Sequence, residues 1–266
     1  MPTQDDGDPG VATHPTIDDH RLAAEVASRA GELLLALRAE LVASAADART
    51  LKDEGDRQSH LLIVDALAGR VAAGDALLSE EGRDDTGRLT AERVWIVDPL
   101  DGTREFSEPP RTDWAVHVAL VVAGQPVAGA VALPALDLTL ATDPPPPPPP
   151  AAVGPPRVIV SRTRPPAAAT WLAERLGGAL VEMGSAGAKA MAVVRGEADV
   201  YAHSGGQYEW DSCAPVAVAL AAGLHVSRLD GGPMRYNNAD PYLPDLLICR
   251  PELAQASLAA LADFDG

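Results

Sequence analysis

Positive charge is scarce in this chain. Its 266 residues carry 21 Lys and Arg against 38 Asp and Glu, a formal charge of −17. That balance excludes broad contact with nucleic acid polymers or anionic lipid, because both need a basic face. A small anionic substrate would need local cations, metal ions among them. Cysteine is scarcer still, with only Cys213 and Cys249. There is no CxxC pair and no metal-type spacing to a histidine, so both are expected as small apolar core residues in a reducing compartment. Long apolar runs are also missing. The Ala-rich stretches are interrupted by charge, Gly or Pro, which argues against a membrane span. The first residues, "MPTQDDGDPGVATHPTIDDH", lack the apolar core and basic flank of a signal peptide. They read as a disordered tail over residues 1–17 of a soluble, cytoplasmic protein.

What is present is ample for a packed core, with 47% hydrophobic residues in a length that suits one large domain or two smaller ones. Leu22, Val26, Leu33, Leu37 and Leu41 recur at helical spacing and predict an amphipathic helix over 18–43. A second helix is expected from Leu61 to Val71. A strand should run through Val94–Val97 and end at Asp98-Pro99. "WAVHVALVVAGQPVAGAVALP" reads as a hairpin turning at Gly124-Gln125-Pro126.

The prolines from Pro144 to Pro150 must form polyproline II, a stiff surface connector. A ligand for an SH3-like domain is the less favoured reading. The chain thus divides into an N-terminal α+β half (18–142), a proline-rich linker (143–156) and a C-terminal α/β half (157–266). In the second half "RVIVS", "ALVEM", "ADVYA", "LHVSRL" and "DLLICR" alternate with helical segments at 167–176, 186–195, 212–222 and from Glu252. That alternation predicts a sheet covered by helices.

Acidic residues sit where apolar runs end. "LLSEEG" supplies Glu80 and Glu81, "DPLDG" supplies Asp98 and Asp101, and "EWDSCAP" supplies Asp211 at the start of a helix. Singly, Asp-Pro before Asp-Gly is an ordinary turn and Asp211 an ordinary helix cap. Together they are hard oxygen ligands suited to magnesium, which keeps waters and phosphate oxygens in its shell. The histidines His60, His117, His203 and His225 stand singly and are expected as surface or satisfied core residues.

"WIVDPLDGT", preceded by "SEE" and followed by "WDSCAP", resembles the lithium-sensitive phosphatase superfamily of inositol monophosphatase, fructose-1,6-bisphosphatase and 3′(2′),5′-bisphosphate nucleotidase. The resemblance implies a layered αβαβα sandwich. It also implies that Glu80, Asp98, the Leu100 carbonyl, Asp101 and Asp211 hold two or three magnesium ions. Thr103 and Glu80 would then orient and activate a water, with Asp56, in "LKDEGDRQS", supporting Thr103. The implied substrate contacts are Gly102, Thr103, Arg104, Ser185, Lys189 and Asp211.

Within the superfamily, "TREF" and Ser204 are more like the bisphosphate nucleotidases than the inositol monophosphatases. "GSAGAK" offers backbone amides and Lys189, one of only two lysines, as an anion site for a second phosphate. The expected reaction is removal of the 3′-phosphate from adenosine 3′,5′-bisphosphate in sulfate activation metabolism. Inositol monophosphate or fructose-1,6-bisphosphate hydrolysis is the runner-up, and a catalytically silent scaffold is disfavoured by the intact acidic set. The assembly is left open, a homodimer included.

Overall fold

A computed structural model describes residues 14–264, so the expected tail lies outside the described residues up to position 13. Helix α1 (Ile17–Ala43) starts at a capping box in which Thr16 and Asp19 each satisfy the other's backbone N–H. Helix α2 spans Ala48–Ala72 and is therefore much longer than the 61–71 expected. Its first half escaped the apolar pattern because two of its inward positions are Gly55 and Ser59. Gly55 lets the helix close on Leu100 and Phe106, where a Cβ would stand 2.8 and 2.9 Å from their side chains. Ser59 donates to the Pro99 carbonyl at 2.6 Å. Asp56 consequently lies inside α2 rather than ahead of it.

The first sheet has the order β1-β2-β3-β4-β5: β1 (Ala76–Ser79), β2 (Arg93–Asp101), β3 (Ala115–Val122), β4 (Gln125–Leu133) and β5 (Leu138–Ala141). β1 and β2 are parallel and the remaining pairs antiparallel. The β3–β4 hairpin forms as expected, although its turn is Ala123-Gly124, both at positive φ.

The second sheet has the order β7-β6-β8-β10-β9, from β6 (Arg157–Ser161), β7 (Ala179–Met183), β8 (Val200–Tyr208), β9 (His225–Ser227) and β10 (Tyr242–Cys249). Its helices are α4 (Ala167–Arg175), α5 (Ala186–Val194), α6 (Glu209–Ala221) and α7 (Pro251–Ala262), and a single turn, α3 (Thr103–Phe106), follows β2.

Strand alternation sets the layers. Along β2, Trp95 and Val97 pack with α1 and α2, whereas Val94 and Ile96 join a core shared by α5, α6 and the inner face of the second sheet. Val158 and Val160 of β6 face α4 and α7 on the outside. The result is the αβαβα sandwich, with α5 and α6 as its central layer.

Candidate active site

β2 continues through Pro99 to Asp101, where a strand end at Asp98 was expected. Asp98 pairs with His117 and Asp101 with Ala115, so β2 spends one residue more than β3 between those points. In a regular strand, side chains three apart face opposite ways; the extra residue of the bulge cancels that reversal. Proline, lacking an N–H, suits the unpaired position. Leu100 N–H donates to Asp98 Oδ1 at 3.0 Å, closing the turn. Gly102 follows at φ 82°, packed so tightly that a Cβ would meet Ser185 Cβ at 3.0 Å and the Asp113 carbonyl at 3.2 Å.

Asp98, Asp101 and Asp211, on the third residue of α6, present carboxylate oxygens that all lie within 4.8 Å of one another. Burial, then repulsion from Glu80, Asp101 and Asp211, raises Asp98 well above the carboxylate range. Asp211 is pushed up to about 7 by burial and by Asp101, against the hydrogen bond it accepts from Tyr208 N–H at 2.6 Å. Glu80 stands at the rim with solvent on one side. Partial dehydration raises it to about 7, the charges of Asp101, Glu81 and Asp56 adding and the nearness of the Asp98 carboxyl opposing.

Asp98 Oδ2 is buried without a hydrogen-bond partner among the described residues. An orphaned oxygen amid hard donors that resist ionisation together is what a cation site looks like before its cation is counted. The three aspartates therefore fit a divalent metal; Glu80 is not within the cluster, and the Leu100 carbonyl accepts from Thr103.

Asp101 behaves differently. Burial would raise it, but contact with His117 and hydrogen bonding from Ser185, with Lys189 nearby, bring it down to about 2. Its Oδ1 accepts from Ala186 N–H at 3.1 Å, and its Oδ2 accepts from Ser185 Oγ at 2.5 Å and Gly187 N–H at 2.6 Å. The α5 amides expected to await a phosphate are thus occupied by an aspartate of the chain itself, since a carboxylate from β2 already supplies the negative charge that the helix start attracts. Oδ1 retains a lone pair for a metal.

Lys189 also differs from expectation. It is 5% exposed, and its ammonium donates to the carbonyls of Ser185 at 2.6 Å and Gly184 at 3.3 Å. Neither a solvated surface charge nor a free phosphate contact, it braces the loop that turns at Ser185, whose φ is 48°.

Thr103 and Asp56 do meet. Thr103 Oγ1 lies 3.3 Å from Asp56 Oδ1 and 3.0 Å from the Leu100 carbonyl. Burial and the charge of Glu81 push Asp56 up to about 7 despite that hydrogen bond. Arg104 is mostly exposed and pairs with Glu108 at 3.1 Å.

His117 was not singled out from sequence as a site residue. It is wholly buried on β3, with Nδ1 3.0 Å from the Trp210 carbonyl and Nε2 3.3 Å from Asp101 Oδ2. A carbonyl only accepts, so Nδ1 carries a proton. Burial lowers the ring's basicity, but Asp101 outweighs it and the net shift is upward. Pairing the hairpin strand against β2 by residue would have placed this histidine opposite Asp98.

A sequence profile described as the inositol monophosphatase family matches residues 19–143 and 156–264. The chain belongs to this family. Among its relatives is a protein of Mycobacterium bovis named 3′-phosphoadenosine 5′-phosphate phosphatase, 52% identical over 242 residues, covering 88% of this chain and 90% of the relative. An Escherichia coli protein named 3′(2′),5′-bisphosphate nucleotidase CysQ is 30% identical over 202 residues, covering 71% and 80%. Among solved structures, CysQ from Bacteroides thetaiotaomicron superposes with a TM-score of 0.71 at 26% identity, over 88% of this chain and 97% of its own. Inositol monophosphatase II from Staphylococcus aureus gives 0.73 at 19% identity, over 90% and 94%, a likeness of fold. No described helix of this family member is long and apolar enough to cross a membrane.

Proposed function

We propose that this protein is a magnesium-dependent phosphomonoesterase that hydrolyses the 3′-phosphate of adenosine 3′,5′-bisphosphate to AMP and phosphate, in the cytoplasm, during sulfate activation metabolism. The observation that carries the reading is 52% identity, across 88% of the chain, to a protein named for that activity. Asp98, Asp101, Asp211, Glu80 and the Leu100 carbonyl would hold two or three magnesium ions. When bound, magnesium supplies Lewis-acid polarisation of the phosphate and neutralises charge on the entering and leaving oxygens.

The chain's own groups do the rest. Thr103, donating its hydroxyl proton toward Asp56 Oδ1 or the Leu100 carbonyl, keeps its lone pairs free to accept from a water and aim its oxygen at phosphorus. Asp56, pushed up to about 7, can take the proton that this water releases at neutral pH, and Glu80 helps to orient the water. Water adds to phosphorus, the bond from phosphorus to the 3′ oxygen breaks, and that oxygen takes a proton from solvent water to leave as the ribose hydroxyl, while the proton held on Asp56 returns to solvent.

With Lys189 buried, the second phosphate needs another cation. A cleft of about 360 Å³ lined by Ser161, Arg164, Pro165, Pro166, His203 and Ser204 opens between the end of β6 and the middle of β8, the strand that leads into Asp211. Arg164 is its strong cation. The test is kcat/KM for adenosine 3′,5′-bisphosphate, inositol monophosphate and fructose-1,6-bisphosphate, in wild type and Arg164→Ala. The nucleotide should be preferred. The variant should raise its KM by about tenfold or more, one charge-assisted contact, and leave inositol monophosphate nearly unchanged. Preference for inositol monophosphate in the wild type would overturn the nucleotide reading.

A further inference from the structure

A second set of buried polar groups joins the two acid-bearing segments. The segment from Glu80 to β2 carries a 3₁₀ turn, Thr86–Thr90, in which Arg88 is 1% exposed. Its guanidinium forks onto Asp84 (2.7 and 3.0 Å) and donates to Asn237 Oδ1 (2.7 Å) and the Asn238 carbonyl (2.9 Å). Asn237 Nδ2 returns a bond to the Arg88 carbonyl at 3.0 Å. The Glu209 carboxylate, fully buried, accepts from Asn237 N–H (2.6 Å), Asn238 N–H (2.8 Å) and Asn238 Nδ2 (2.7 Å). Glu209 opens α6, two residues before Asp211.

We propose that Arg88, Asn237, Asn238 and Glu209 form a clamp that holds the Glu80 loop against the Asp211 helix and thereby sets the cation affinity of the acid cluster. These are positioning residues, and the assignment rests on the magnesium reading above. The carboxylates at the site repel one another, and that force acts to spread the loop from the helix. β1 and the hydrogen bond from Glu80 N–H to the Val97 carbonyl (3.4 Å) anchor only the start of this loop. The clamp opposes the spreading from behind through charge-assisted and bidentate bonds, which tolerate little change in angle. Outer partners of this kind orient the ligands and tune affinity without touching the reacting atoms.

The test uses the full-length protein and magnesium itself. Calorimetric Kd for magnesium, the thermal shift on adding it, and phosphate release against magnesium concentration would be measured for wild type, Arg88→Lys and Asn237→Gly. Arg88→Lys keeps the charge and loses the fork. Asn237→Gly suits the existing φ of 61° and removes only the side-chain bonds, so it keeps the test open if the lysine variant folds poorly.

Magnesium Kd and the half-activating concentration should both rise about tenfold or more in each folded variant. The kcat at saturating magnesium should stay within about threefold of wild type, the pattern of weakened ligand positioning rather than lost chemistry. Unchanged magnesium Kd in folded variants, or a fall in kcat at constant affinity, would overturn the clamp while leaving the enzyme reading intact. If wild type itself neither binds magnesium nor shifts, both readings fall together.

Discussion

Asp56 and Thr103 lie 47 positions apart in the chain, yet the fold brings Thr103 Oγ1 to 3.3 Å from Asp56 Oδ1. Asp56→Asn keeps an oxygen acceptor for Thr103 and removes the negative charge. The expected outcome is a kcat lower by about 10²–10⁴, the range for loss of a general base. Stability should hold or rise slightly, because the charge removed was dehydrated and repelled by Glu81. A kcat within threefold of wild type would take Asp56 out of the proton path. Asp98, Asp101 and Asp211, each an ordinary turn or cap residue when taken singly, stood out in the sequence only as a set and through the resemblance their motifs carry, and the structure brings their carboxylates together. His117 was not, because a lone histidine in a β-rich run carries no sign of what lies across the strand from it. Lys189 was legible as unusual, but its direction was not: the two carbonyls that capture it belong to a turn set by tertiary packing.

Among elements, α3 is the least able to stand by itself, a single turn that must nonetheless fix Thr103. One turn cannot cover the cost of its own nucleation. Arg38 of α1 supplies the support: Nε donates to the Phe106 carbonyl (2.8 Å), Nη2 to that of Glu105 (3.1 Å) and Nη1 to that of Arg111 (2.8 Å), over the rings of Phe106 and Trp114. Replacing Arg38 by Met keeps the apolar stem and leaves those acceptors unpaired. A loss of roughly 2–4 kcal/mol in urea unfolding is expected, together with reduced turnover. Arg38→Lys should recover less than half, because a point charge cannot reach three carbonyls in one plane. A loss under about 1 kcal/mol for Arg38→Met would show that α3 is held by its apolar contacts alone. Arg162 acts from the other half, bonding Glu105 and Glu108, each at 2.7 Å. The helices of the second half were readable within a few residues, since each is an apolar run with clean punctuation, but β8 runs on from the expected Ala202 to Tyr208 through His203-Ser204-Gly205-Gly206, a polar stretch held by pairing with β10. The first half of α2 was not, because Gly55 and Ser59 face inward for reasons that lie in Leu100, Phe106 and Pro99.

At the scale of the whole molecule, proton and metal binding are linked to folding. Asp56, Glu80 and Asp211 rise to about 7 and Asp98 rises further above its usual range. Between their ordinary values near 4 and about 7, the folded state holds more protons than the unfolded, so stability falls as pH rises through that window. His117, raised as well, contributes with the same sign. Asp101 and Asp199, both lowered to about 2, are ionised in both states above about pH 5 and leave the slope alone there. In chelator, Tm should drop between pH 6 and pH 8 by several degrees, given roughly 2–4 °C per kcal/mol at this size. Magnesium should restore it, and by more at pH 8, where fewer protons compete for the carboxylates. Equal magnesium shifts at both values would mean that the ion binds away from these acids.

The sequence by itself determined the class of architecture and a set of acids suited to a metal, and the reaction followed only from the resemblance that those motifs carry. Charge balance, acids at the ends of apolar runs, and the period of those runs are local properties, and local properties survive in a linear string. It also placed the motif pair that joins residues 98–103 to Asp211. Only the tertiary structure decided which way those groups face. One extra residue in β2 turned Asp98 and Asp101 to the same side. Packing turned Lys189 inward and brought His117 beneath the cluster. Arg88 met Asn237 across 149 positions. Side-chain direction depends on register and on partners remote in the chain, and neither is written in the residues that flank it.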